Sequence, residues 1–130
     1  ERKVVGLVGP SGGGLLNASR VLMASDETGF PAAARLLENL PSTTTGQVLL
    51  EAERGEVCKY PIDAPDGIDI RWLSREDGEQ LAVATIEAMG DFTNATVWFA
   101  GEKKQAAQVR ATAKLAGWPT DKLRISGFWA

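Results

Sequence analysis

Charged and hydroxyl side chains stand close behind three of the apolar stretches in this sequence. The candidates form three short groups, namely Asp26, Glu27 and Thr28 after RVLMAS, Ser74 and Arg75 after IDIRWL, and Gly101 and Glu102 after ATVWFA. The chain has no histidine and one cysteine, which excludes zinc sites and triads built on histidine. Any chemistry must therefore use carboxylates, hydroxyls, cations or a cofactor.

Ser74 and Arg75 form the candidate phosphate-binding group. Arginine offers a planar fork that matches phosphate oxygens, and the serine adds a hydroxyl donor. Recognition of the ribose 2′-phosphate of NADPH needs this combination. The alternative is a solvated turn in which Arg75 pairs with Glu76 or Asp77.

Two carboxylates occupy the turn between RVLMAS and the helical stretch PAAARLLENL. Asp26 or Thr28 can cap that helix, whose first N–H groups need partners. A pyrophosphate placed there would be repelled by Asp26 and Glu27, and the chain lacks the GxGxxG fingerprint. The neutral or cationic nicotinamide end of a dinucleotide therefore fits this turn better than its phosphates do.

Three further residues are candidates for the site, and two of them also have a purely structural interpretation. Gly101 lets another group approach the backbone closely, so it can admit a nicotinamide beside Glu102. Glu102 can equally be a good helix starter, because the helix dipole favours an acid in the first turn. Trp129, near the end of the chain, can pack at an edge or stack on a flat cofactor ring.

Short apolar runs alternate with helical patterns along the chain. The pattern predicts strands over 3–8, 20–25, 47–53, 68–73, 95–101 and 122–129, and helices over 31–40, 78–89 and 102–117. This alternation predicts an α/β fold, with a parallel sheet of about five strands and helices on both faces. Ligands bind such sheets at the carboxyl ends of the strands, where the candidate residues lie.

The length, composition and net charge of the chain limit the class of protein to which it can belong. With 130 residues, 44% of them apolar, the chain is predicted to form one domain with a sizeable core. A net charge of −3 gives nucleic-acid binding no support, and no apolar run approaches the ~20 residues of a membrane span. The single cysteine, Cys58, fits a reducing cytoplasm. The opening ERKVVGLVGPSGGG lacks an initiator Met and predicts a domain cut from a longer protein.

Several stretches together resemble the siderophore-interacting protein family: SDETGFPAAARLLENLP, WFAGE with the helix after it, and ISGFW. The family motifs read roughly G-D-E-T-A-L-P-A, W-x-x-G-E and G-Y-W. Ser25 departs from the usual Gly, Gly29-Phe30 from Ala-Leu, and Phe128 from Tyr. The opening GLVGPSG is similar to the end of the family's flavin-binding barrel, so the resemblance covers essentially the whole chain.

The resemblance implies a ferredoxin-reductase-like enzyme that passes electrons from NAD(P)H through FAD to a ferric siderophore. Residues 1–19 would be the last strand and exit linker of a missing flavin-binding barrel, and 20–130 the NAD(P)H-binding domain. By position, Asp26, Glu27 and Thr28 would face nicotinamide and flavin, with Gly101 and Glu102 in the second turn. Ser74 and Arg75 would hold the 2′-phosphate, favouring NADPH over NADH, and Trp129 would belong to the terminal aromatic pair.

The same resemblance implies no catalytic acid or base, because hydride and electron transfer belong to the cofactors. The fragment alone is expected to be inactive, since the flavin site lies in the missing barrel. Two alternatives remain open. One is a non-catalytic α/β module that binds a nucleotide or another protein by itself. The other is a receiver-like signalling domain, which would need acids at several strand ends.

Overall fold

This computed structural model describes residues 18–55 and 59–129, which contain five strands and three helices. The strands are β1 (Arg20–Ser25), β2 (Thr45–Ala52), β3 (Ile68–Ser74), β4 (Thr96–Glu102) and β5 (Leu123–Trp129). The helices are α1 (Phe30–Glu38), α2 (Leu81–Met89) and α3 (Lys103–Leu115). Short 3-10 turns span Glu27–Gly29, Arg75–Asp77 and Thr120–Lys122.

All five strands are parallel, in the order β3-β2-β1-β4-β5. The predicted α/β fold with a five-stranded parallel sheet is therefore confirmed. The central strand β1 pairs on both sides, so that Met23 lies opposite Val48 and Trp98. Because the strands are parallel, their carboxyl ends lie in one row across the sheet, from β3 to β5, and we call this row the carboxyl edge.

Side chains of β1 alternate between the two faces of the sheet, as a strand requires. Val21 and Met23 pack on the face covered by α1, with Phe30 and Leu37. The opposite face is covered by α2 and α3, and its core contains Leu22, Ala24, Leu49, Leu73, Leu81, Val97, Phe99 and Val109. Helices cover both faces, so the continuous apolar run of β1 is buried on both sides.

The predicted boundaries agree with the structure within a few residues, and those of β1 agree at both ends. Helix α2 begins at Leu81 rather than Gly78. The reason is local, because Gly78 has a φ of 84° and ends the preceding 3-10 turn, and Gln80 is extended. The predicted strand 3–8, most of the linker after it, and Cys58 lie outside the described residues.

Helix α3, with 13 residues, is the longest helix of the described ranges. Spanning a bilayer takes about 20 apolar residues. Within those ranges no helix combines the length and the hydropathy for a membrane crossing.

Candidate functional site

Asp26 lies at the carboxyl edge directly after β1, with only 2% of its surface exposed. Its Oδ1 accepts a hydrogen bond from the Thr28 amide at 3.0 Å and another from the Thr28 hydroxyl. Its Oδ2 accepts one from the Trp129 indole Nε1 at 2.7 Å. The structure thus joins two predicted site residues that are 103 positions apart in the sequence.

Asp26 caps a shorter element than the sequence predicts. It caps the 3-10 turn Glu27–Gly29, whereas α1 starts after Gly29, which contributes no side-chain cap. The Thr28 amide of this turn is therefore already bonded to a carboxylate. This leaves little positive potential for a phosphate at that point, as the sequence indicates.

Glu27 points in the opposite direction from Asp26 and pairs with Arg75. Its two carboxylate oxygens accept from Nη1 at 2.8 Å and Nη2 at 2.5 Å in a bidentate arrangement. Arg75 Nη1 also donates to Glu51 Oε1 at 3.1 Å. The alternative partners Glu76 and Asp77 are wrong, because the fork of Arg75 is directed at residues brought in from two other strand ends.

The three charges of this cluster affect one another's ionisation. Hydrogen bonding to Arg75 lowers the pKa of the Glu27 carboxyl below its ordinary value. Burial raises the pKa of the Glu51 carboxyl, against opposing hydrogen bonds from Arg75 and the Leu81 amide. The hydrogen bond that Arg75 donates to Glu27, followed by the one that it donates to Glu51, raises the pKa of the Arg75 guanidinium. Arg75 therefore stays positively charged beside two carboxyl groups.

Ser74 is almost buried and uses its hydroxyl within the protein. Its Oγ donates to the carbonyl of Glu53 at 3.1 Å, and its amide donates to Glu79 Oε1 at 2.9 Å. The hydroxyl hydrogen predicted to contact a phosphate is therefore engaged, although its lone pairs can still accept. A phosphate role for Ser74 stays a prediction.

Glu51 and Gln105, which the sequence did not indicate as site residues, complete the site. Glu51 Oε2 accepts the Leu81 amide at 2.8 Å, and Gln105 Oε1 accepts the Ala82 amide at 2.9 Å. Two side chains from other elements thus cap the start of α2, where Gln80 makes no side-chain cap. One signal could have identified Glu51, which is the single acid within the apolar run VLLEA of a strand buried on both faces.

Gly101 lies in β4 against the protein's own core. A Cβ added there would come within 3.3 Å of Phe99, 3.4 Å of Leu81 and 3.5 Å of Asp26 Oδ2. An added Cβ would be tight only against Phe99 and in ordinary contact with Asp26, so the packing alone does not require glycine here. A ligand approaching Gly101 stays a prediction. Glu102 is the residue before α3 rather than part of its first turn, and its Oε1 lies 3.4 Å from Gln105 Nε2.

The turn after β1 connects both ends of the carboxyl edge. Asp26 bonds to Trp129 at the end of β5, the last strand on one side of the sheet, and Glu27 bonds to Arg75 after β3, the last strand on the other. Phe128 and Trp129 remain 54% and 40% exposed, so they offer an aromatic surface at the β5 end. The edge therefore has an aromatic end and a charged end, joined by two consecutive acids.

Ser25 and Gly29, two departures from the family motif, lie against each other. A Cβ at position 29 would overlap Ser25 Oγ and lie 2.9 Å from Ala100 Cβ. We expect Gly29→Ala to lower the free energy of unfolding by about 1–3 kcal/mol, because the added methyl overpacks the turn. In a Ser25→Gly background, Gly29→Ala should lower the free energy of unfolding by less, as measured by urea unfolding. If Gly29→Ala cost the same in the wild type and in Ser25→Gly, the two positions would be independent.

Comparison with known families gives a match over most of the chain. The family model described as siderophore-interacting protein matches residues 18–130. A curated relative, the ferric vibriobactin reductase ViuB of Vibrio cholerae, is 36% identical over 81 residues. That alignment covers 61% of this chain and 30% of the relative, so the chain spans much less than the relative's full length.

Solved structures share the fold. The siderophore-interacting protein SipS from Aeromonas hydrophila aligns with a TM-score of 0.72 at 20% identity, over 86% of this chain and 51% of that one. A ferredoxin reductase in carbazole 1,9a-dioxygenase aligns with a TM-score of 0.58 at 13% identity, over 87% and 33%. The predicted ferredoxin-reductase-like α/β fold is therefore confirmed.

Proposed function

The chain belongs to the siderophore-interacting protein family, and on that premise we propose that it is the NAD(P)H-binding domain of an FAD-dependent ferric-siderophore reductase. The substrate of the whole protein would be a ferric siderophore in the cytoplasm, and iron would be released after its reduction. Residues 1–19 would be the end of an N-terminal flavin-binding barrel and 20–130 the nicotinamide domain. The name of the Vibrio cholerae relative, a ferric vibriobactin reductase, supports this class of reaction.

One observation carries the proposal: the turn after β1 bonds to Trp129 on one side and to Arg75 on the other. An extended dinucleotide needs contacts along such an edge, with a flat surface at one end and polar groups at the other. Parallel α/β sheets bind ligands at this side. The edge of this chain supplies both kinds of contact from residues that the fold holds in place.

The available donors and acceptors fit a nicotinamide dinucleotide at particular places. The exposed Thr28 and the partly exposed Trp129 fit the nicotinamide end. Arg75, whose side chain is 38% exposed and pairs with Glu27, is the cation that we propose for the phosphate of an adenosine ribose. The start of α2 does not fit a pyrophosphate, because Glu51 and Gln105 already occupy its amides.

The cofactors would supply hydride and electron transfer, and this chain would supply position and electrostatics. Asp26, through its bond to the indole, fixes where Trp129 stands at the carboxyl edge. Trp129 and Phe128 would cover the reacting rings and exclude water. No side chain of the chain is required to take or give a proton in this proposal.

The direct test is NADPH- or NADH-driven reduction of a ferric siderophore by the full-length protein with FAD, measured by the loss of the ferric chelate's absorbance. We expect reduction with at least one nucleotide. Failure with both would contradict the reductase proposal. Nucleotide binding without reduction would favour the non-catalytic module instead.

Arg75→Ala tests the charged end of the edge. Because a guanidinium contact to a phosphate is charge-assisted, we expect NADPH to bind about tenfold more weakly and NADH to change little. Isothermal titration calorimetry measures the dissociation constants of NADPH and NADH. The matched control is Arg54→Ala, since Arg54 is an exposed cation near the same edge that pairs with Glu76 at 3.4 Å. Equal losses for NADPH and NADH would remove the 2′-phosphate role of Arg75.

A further inference from the structure

The two carboxylates that hold Arg75 differ in burial and in what else they hold. The Glu51 side chain is 3% exposed and also accepts the Leu81 amide at 2.8 Å, so it is fixed between β2 and α2. The Glu27 side chain is 41% exposed and lies on a 3-10 turn. Glu51 is therefore a fixed partner of Arg75, and Glu27 is the partner that can move away.

Glu27 occupies the Nη1–Nη2 end of the guanidinium, one of the two forks at which a phosphate can bind through a pair of N–H groups. Bidentate recognition of carboxylate or phosphate takes two parallel N–H groups of one fork. Both carboxylate oxygens of Glu27 take such groups, at 2.8 Å and 2.5 Å. A phosphate that binds at the Nη1–Nη2 end of Arg75 must first displace Glu27, and it then meets the carboxylates of Glu27 and Glu51 close by.

A ribose with a free 2′-hydroxyl does not need to displace Glu27 from Arg75. The hydroxyl is neutral and can donate a hydrogen bond to a carboxylate, as in dinucleotide sites that use an acid for the ribose. Glu27 therefore opposes the charged form of the nucleotide and tolerates the neutral one. Arg75 favours the charged form, and the balance between the two side chains decides the selectivity.

Resting on the proposed function, we propose that Glu27 is a specificity-determining residue that lowers the affinity of the site for a 2′-phosphorylated adenosine nucleotide relative to its 2′-hydroxyl counterpart. The residue acts by holding the fork of Arg75 and by placing a negative charge beside it. The selectivity of the chain then depends on the pair Glu27–Arg75 and not on Arg75 alone.

The test compares Glu27→Gln with the wild type in the full-length protein, by calorimetric titration with NADPH and NADH, and with 2′,5′-ADP and 5′-AMP. The second pair of probes differs only in the 2′-phosphate and lacks the nicotinamide. We expect the ratio of NADPH to NADH affinity, and of 2′,5′-ADP to 5′-AMP affinity, to rise about tenfold in the variant. Glu76→Gln, an equal change of charge near the same edge, should leave both ratios within about twofold.

The outcomes separate this inference from the proposed function. Binding of both dinucleotides with unchanged ratios in Glu27→Gln would overturn the role of Glu27 and leave the nicotinamide-domain proposal standing. A wild type that binds none of the four nucleotides would overturn both. A rise in the ratios that also occurs in Glu76→Gln would overturn the role of Glu27, because general charge would then explain the effect.

Discussion

Replacing Asp26 with alanine is expected to lower the free energy of unfolding by about 3–4 kcal/mol. The carboxylate is buried and accepts hydrogen bonds from the Thr28 amide, the Thr28 hydroxyl and the Trp129 indole. Alanine removes the cap of the 3-10 turn and leaves these donors without their charged acceptor. Urea unfolding followed by circular dichroism measures the loss.

The matched control is Asp77→Ala, an exposed acid in the turn after β3, which should change stability by less than about 0.5 kcal/mol. A double-mutant cycle of Asp26→Ala with Trp129→Phe isolates the bond between β1 and β5. Trp129→Phe alone should cost about 1 kcal/mol, and the two changes should be non-additive by a similar amount. Full additivity would mean that the indole contact contributes nothing to stability.

Asp26→Ala is also expected to loosen the carboxyl end of β5, because the indole bond ties that end to the central strand. Amide hydrogen exchange should become faster at the end of β5 and in the turn Glu27–Gly29, while the amides of β2 change less. Uniform acceleration over the whole sheet would show a global loss of stability instead of a local role. The result bears on function, since Trp129 is proposed to cover the reacting rings.

Glu51→Ala is the second substitution with a large expected effect, about 3 kcal/mol of unfolding free energy. The change leaves the Leu81 amide at the start of α2 without its acceptor and removes the buried partner of Arg75. Chemical unfolding measures it, with Glu53→Ala, an exposed acid two positions later, as the matched control. A loss no greater than that of the control would contradict the capping role of Glu51.

Glu51→Gln separates the hydrogen bond from the charge. Glutamine keeps an oxygen for the Leu81 amide, so this variant should lose less stability than the alanine variant. Because burial raises the pKa of Glu51, the folded protein binds this proton more tightly than the unfolded chain does, and the stability that the group contributes falls as the pH rises through the raised pKa. The cost of Glu51→Gln should therefore decrease from acid to neutral pH, and an increase would contradict this balance.

The sequence by itself determined the class of fold and the order of its elements. The stretch Arg20–Ser25 contains an apolar run and is followed by two acids. The strand predicted from it has the same bounds as β1. Because such runs alternate with segments of helical periodicity, the sequence predicted a parallel sheet covered by helices. The motifs around Asp26 and Gly101 also indicated the protein family, because those turns have an unusual composition.

Only the tertiary structure decided which side chains meet. Judged by distance along the chain, Arg75 has Glu76 and Asp77 as partners, yet it pairs with Glu27 and Glu51, which are 48 and 24 residues away. Asp26 likewise bonds to a residue 103 positions later. Periodicity reports which face of a strand is buried but not which strands are neighbours. The order β3-β2-β1-β4-β5 places the turn after β1 in the middle of the carboxyl edge, where one acid reaches toward each end.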